Sequence, residues 1–227
     1  MKTFTKKLTL SCSLALALVH LHAQGLHYAA SAGIGLSSIT SSEATRTIDG
    51  GKVKLAGSAN AGISVEKTLR SRSSLGVELL WMQMHGKEGS TDRPIFAYGG
   101  GEGVQIGSIS EKLSIHSTYM ALPLYYRLQL GKFGLKLGVQ PLLFLSAHTH
   151  YESSGELLRK PIESRSRTTI EFDRFDFGPK LGLDYRFGRG FSVRADFYYG
   201  IPDIMKDDAN FQRRNRQASV GMQYWFK

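Results

Sequence analysis

Residues 175–187 read FDFGPKLGLDYRF. Phe175, Phe177, Leu181, Leu183, Tyr185 and Phe187 share one parity, while Asp176, Lys180, Asp184 and Arg186 share the other. Successive side chains of a strand point to opposite sides, so this stretch is a strand with one apolar and one charged face. Which of the two faces the interior decides the fold.

The same two-residue period returns in LHYAASAGIGL (26–36), KVKLAGSANAGISV (52–65), SLGVELLWMQM (74–84), YMALPLYYRLQL (119–130), FGLKLGVQPLLFLS (133–146), FSVRADFYYGI (191–201) and QASVGMQYWF (217–226). With 175–187 these make eight strands, an even number that suits an up-and-down barrel without free edges. Parity adds Glu78, Arg127, Lys136, Arg194 and Asp196 to the charged face of Asp176, Lys180, Asp184 and Arg186. A soluble, lipocalin-like carrier would turn the apolar set inward and leave these charges in water. A membrane barrel inverts the assignment.

Three features favour inversion. The chain opens with a secretory address. Bulky aromatics (Trp81, Tyr126, Phe177, Tyr185, Phe187, Phe191, Phe197, Tyr199) mark the apolar face, several near strand ends where membrane girdles sit. Strands of about ten residues match what a tilted strand needs to cross the hydrocarbon layer. The expected fold is therefore all-β, an eight-stranded antiparallel up-and-down transmembrane β-barrel. An interior of this size is filled by side chains, so the nine charged residues are expected as a paired lumen network, not the lining of a metabolite channel.

The address comprises Lys2, Lys6 and Lys7, the apolar LTLSCSLALALV (8–19) and HLHAQ (20–24). It reads as a signal peptide, 1–23, cleaved after Ala23 with Gln24 as the alternative, ahead of a barrel domain at 24–227. Cys12 is the one cysteine and sits early in the apolar run with Thr9 before it, which disfavours lipidation. The processed chain then has no thiol for a disulfide, nucleophile or zinc site. Beyond the signal no apolar run approaches the roughly 18–20 residues of a spanning helix. The formal charge of +10 comes without a basic helix, stacking-aromatic motif or zinc framework, so no nucleic-acid partner is expected.

Connections alternate in length: 38–51, 87–112, 148–170 and 202–214 are long and polar, whereas 66–73, 131–132 and 188–190 are short. Long loops on the cell surface and tight turns in the periplasm follow. Arg159, Lys160, Arg165 and Arg167 are expected to form a lipopolysaccharide-contacting rim, joined by Arg213, Arg214 and Arg216, because guanidinium matches phosphate bidentately. His116, Ser117 and Glu78 resemble a hydrolytic set in residue type, but parity puts His116 and Glu78 on opposite faces. His148 and His150 share a face without an evident third ligand, and YGGGEG (98–103) lacks the Lys-Ser/Thr ending of a phosphate loop. No catalytic residue, metal or cofactor is expected.

The strands VELLWMQMHGKEG, YMALPLYYRLQLGKFGLKLGVQPLLFLSA, DFGPKLGLDYRF, VRADFYYGIPDI and the closing MQYWF, in that order, resemble the PorT-like outer-membrane β-barrel family of Gram-negative bacteria. The resemblance spans nearly the whole processed chain. It implies a multi-pass outer-membrane barrel in a family whose namesake serves protein secretion, with the basic loop around Arg165 and Arg167 and the final Lys227 outside the shared pattern. Similarity to other such barrels also implies that Tyr224 and Phe226 form the C-terminal signal read by the barrel-assembly machinery. The expected function is non-enzymatic: structural, adhesive or secretion-associated through external loops. The expected partners are outer-membrane lipids, lipopolysaccharide, the assembly machinery and an unidentified envelope protein. A lipid-modifying barrel enzyme is the alternative, and a soluble carrier the further one.

Overall fold

A computed structural model describes residues 25–41, 52–89, 93–99, 102–169, 173–188, 190–204 and 213–226. The expected signal peptide and Lys227 lie outside these. Among the described residues there are eleven strands: β1 (Leu26–Ser41), β2 (Lys52–Arg70), β3 (Ser73–Gly89), β4 (Arg93–Gly99), β5 (Glu102–Ala121), β6 (Leu124–Leu130), β7 (Phe133–Leu157), β8 (Lys160–Thr169), β9 (Phe175–Phe187), β10 (Phe191–Tyr199) and β11 (Arg213–Trp225). All pairings are antiparallel.

The sheet closes on itself. β1 pairs β2, β2 pairs β3, β3 pairs β5 and β6, these pair β7, and β7 leads through β9 and β10 to β11. β11 then returns to β1 from Ala29↔Trp225 to Ser41↔Arg213. β5 and β6 fill one position, interrupted at Leu122 and Pro123, where proline cannot donate to the ladder. The break is held in register by Glu78 N–H donating to the Pro123 carbonyl (2.9 Å). Eight ring positions result, the number read from the sequence.

Two of the expected loops are in fact strands. Residues within 87–112 and 148–170 extend β5 and β7 well past the ring and add the edge strands β4 and β8. Beyond the membrane both sheet faces meet water, so these segments lack the apolar alternation that marks the ring. Within the glycine-rich stretch, Gly99 of β4 pairs with Glu102 of β5. At the other end the turns are tight, with Gly131 and Gly188 at positive φ (62° and 64°), a conformation glycine adopts without a Cβ penalty.

Exposure fixes which face is inside. Leu135, Leu137 and Val139 on β7 are 48%, 59% and 54% exposed, whereas the intervening Lys136 is 1% exposed. The apolar face points outward and the charged face inward, which overturns the soluble-carrier alternative. At the short-turn end Phe133 and Tyr185 (ring centroids 4.9 Å apart) and the run Phe187, Phe191, Tyr224 and Phe226 (4.9–6.3 Å between successive centroids) make an outward girdle from β7 to β11. Aromatic rings at such a boundary match the interfacial girdle of membrane barrels.

Candidate functional site

The lumen is layered. Its short-turn half holds four acids, Glu66, Glu78, Asp184 and Asp196, against four bases, Arg127, Lys136, Lys180 and Arg194. Glu78 is the hub: Arg194 donates to both of its oxygens at 3.0 Å, Lys180 donates at 2.9 Å, and the Lys136 ammonium lies 3.6 Å away. Arg194 also donates to Asp196 through Nε. Arg127 forks onto Asp184 through Nε (2.9 Å) and Nη2 (2.6 Å), and Nη1 reaches Glu66 at 3.5 Å. Glu66 further accepts from the Tyr125 hydroxyl (2.9 Å) and Ser74 (3.1 Å). Lys136 donates to Gln223, which donates to Ser64.

Seven of the nine predicted lumen residues meet in this network. The other two sit apart. Asp176 lies in the long-loop half, accepting from Asn215 (2.8 Å), which also donates to the Tyr119 hydroxyl. Arg186 stands at the short-turn mouth, stacked 4.6 Å from the Trp225 ring centroid. Trp225 shares the inner face with Gln223.

Glu66 was missed because the sequence reading ended the second strand at Val65. Carrying the same parity two residues beyond Ser64 places Glu66 inside. Room for the network comes from small residues: a Cβ on Gly134 would fall 2.5 Å from Asp184 and 2.6 Å from Arg127, and one on Gly76 would fall 2.4 Å from the Tyr125 ring.

Above the charges the lumen turns apolar. Leu80, Met82, Met84, Tyr119, Ala121, Leu142 and Tyr198 pack together, with Ile39, Ile115, Ala147 and Ile204 as a further cluster and Phe144 against both. Buried polar side chains are interspersed with this apolar packing, among them Gln140, which donates to the Met82 sulfur, and Asn215, which donates to Tyr119 and Asp176.

His116 is exposed on the outer wall; Ser117 is buried and donates to the Met84 carbonyl; Glu78 is bound in the network. The three do not converge. Among the described residues no group of three histidine, cysteine or carboxylate side chains is placed to hold a metal. His85, His116 and His148 instead form one cross-strand row on the outer wall, His85 opposite His116 and His116 opposite His148, with His150 5.8 Å from His116 between ring centroids.

Desolvation first, and then the charges of His85, His150, Lys87 and Arg167, hold the His116 imidazole below its ordinary range; His85 is lowered chiefly by desolvation. The folded chain thus protonates His85 and His116 less readily than the open chain does, so the stability they contribute is present above the ordinary imidazole range and is lost as pH falls through it. Limited proteolysis of the β5–β7 extension is expected to be several-fold faster at pH 5 than at pH 7.5, and His116→Asn should shrink that difference. Equal rates at both pH values in the unmodified protein would refute the argument.

Arg159 occupies the tip of the β7–β8 hairpin, with Lys160 beside it and Arg165 and Arg167 along β8. At about 3.3 Å per residue on a tilted strand, the tip stands roughly 30–40 Å above the apolar band. Arg214 and Arg216 sit at the band's edge, pointing outward.

Residues 22–206 match the outer membrane protein beta-barrel domain family. The chain belongs to that family. It is an integral barrel of the Gram-negative outer membrane, and the surrounding lipid accounts for the apolar face turned outward. Neisserial surface protein A is 12% identical over 89% of this chain and 100% of its own, with a TM-score of 0.43. The attachment invasion locus protein Ail of Yersinia pestis is 9% identical over 89% and 100%, with a TM-score of 0.38. The outer membrane protease OmpT of Escherichia coli is 11% identical over 88% and 97%, with a TM-score of 0.43. No protein in the curated comparison matches the chain.

Proposed function

We propose that this is a non-enzymatic outer-membrane barrel that works through its external hairpins, in a structural, adhesive or secretion-associated role. The observation that carries this reading is the length of β5 and β7, 20 and 25 residues, against the roughly 9–11 a strand needs to span. The excess is paired from Gly107↔Leu157 down to the ring and flanked by β4 and β8, giving a stiff projecting blade.

The blade's tip is built for contact. Leu158 and Arg159 both hold left-handed φ (52° and 64°), where Asn-Gly would be cheaper, and Leu158 is 67% exposed. The charged β8 edge, with Pro161, Arg165 and Arg167, discourages indiscriminate strand addition. At the tip's height Arg159 and Lys160 meet surface carbohydrate or an envelope protein; lipid phosphates lie far below. The lipid-modifying alternative has less support, because its imagined residues already have other partners or other faces. Tyr224 and Phe226 act in this reading as the assembly signal, in a chain delivered by cleavage after Ala23. The order of the strand motifs supports kinship with the PorT-like barrels.

The test is replacement of residues 151–166 by a two-residue turn. The shortened barrel is expected to keep heat-modifiable mobility and outer-membrane location, while cells lose most of their attachment to neighbouring cells or matrix and show altered envelope integrity. Unchanged attachment and envelope behaviour would sink the proposal.

A further inference from the structure

We propose that the outer wall at β9–β10–β11–β1 is a specific binding site for the phosphorylated acyl lipid of the outer leaflet, lipid A. The site has a cationic head and an apolar trough. Arg214 Nη1 and Arg216 Nη2 both donate to the Tyr199 hydroxyl, at 3.5 and 3.3 Å, and the Arg216 guanidinium lies 4.8 Å from the Tyr199 ring centroid. Arg216 Nε is buried without a hydrogen-bond partner, and neither arginine meets a carboxylate among the described residues. Two outward guanidiniums held side by side at the edge of the apolar band suit a phosphate.

The trough begins one row below. Tyr199 lies opposite Arg216 and Arg216 opposite Ser38; the next row toward the short turns is Phe197, Ala218 and Leu36, and the one after is Ala195, Val220 and Ile34. Those two rows line an outward groove of about 590 Å³, because Ala195, Ala218 and Gly182 leave a depression between Phe197 and the flanking leucines. A groove of that size accommodates an acyl chain, and the wall already faces lipid. A phosphate clamp directly above an acyl-sized depression specifies a lipid with both parts.

The assignment rests on the long hairpins facing outward, which puts this edge in the outer leaflet. Protease cleavage of the β7–β8 hairpin on intact cells tests that orientation separately. The direct test is native mass spectrometry of the refolded barrel in detergent with bis-phosphorylated lipid A, its enzymatically dephosphorylated form and phosphatidylglycerol. Lipid A is expected to bind at least about tenfold more tightly than the dephosphorylated form, and Arg214→Ala/Arg216→Ala to erase that preference. Ala218→Trp, which fills the groove, should weaken both lipid A forms alike. Each variant is checked for unchanged heat-modifiable mobility. Lipid A binding that ignores phosphate removal, that survives the double substitution in a folded barrel, or that phosphatidylglycerol equals would overturn the proposal.

Discussion

Replacing Glu78 with alanine is expected to cost the folded barrel about 3–5 kcal/mol, the usual penalty for stranding buried charges. The reason is the number of cations that converge on this one carboxylate. Arg194 and Lys180 donate to it directly and Lys136 stands within 3.6 Å, all three almost fully buried. Asp196 would remain for Arg194 and Lys180, and Glu66 for Lys136, so the residual network carries four cations against three anions. Glu78→Gln keeps the shape and one acceptor, and should fall between alanine and the native residue. Replacing Glu78, Asp196, Arg194 and Lys180 together with leucine and methionine removes two anions and two cations at once, leaves Glu66 and Asp184 with Arg127 and Lys136, and should cost less than the single alanine. Urea unfolding from lipid vesicles, followed through Trp81 and Trp225, measures the series. A Glu78→Ala loss below about 1 kcal/mol would mean that water reaches the lumen and screens the charges.

The sequence carried the ring almost completely because the membrane imposes a strict alternation there. A lipid-facing position tolerates little but apolar side chains, so Leu135, Leu137 and Val139 announce their face, and Lys136 announces the other. Outside the bilayer that constraint lapses, and β4, β8 and the upper parts of β5 and β7 read as loops. Partner identity was less legible than face. Parity could not say that Asp176 belongs with Asn215 rather than with the ions below it, since that depends on height along the barrel axis and on shear, which sequence spacing does not encode. The lipid clamp was legible only in part: Arg214 and Arg216 were expected at the rim, but Tyr199, seventeen positions from Arg216 in the chain, becomes its neighbour only through register.

The layering of the lumen and the length of the blade support one another physically. A barrel whose interior is locked by paired ions and capped by a packed apolar layer is a rigid base. β5 and β7 leave that base without a break in their mutual pairing apart from one bulge at Thr118 and Tyr119, so the blade inherits its orientation from the ring. A contact made at Leu158 and Arg159 is then made from a fixed platform, and little conformational entropy is lost on binding.

Leu137→Arg should destabilise the barrel by about 2–4 kcal/mol, the cost of a guanidinium near the bilayer midplane. Leu137 lies opposite Tyr126 on one side and Leu181 on the other, with Leu135 and Val139 before and after it on the same face, so no polar wall is within easy reach. The same change at Phe133, in the girdle, should cost no more than about 1 kcal/mol, because the long side chain can snorkel to the interface. On a water-facing wall both changes would fall within about ±0.5 kcal/mol, the range of ordinary surface substitutions. The depth dependence therefore separates lipid from water more sharply than either value alone. Equal costs at Leu137 and Phe133, measured by urea unfolding from vesicles, would show that the band does not lie where the exposed leucines put it.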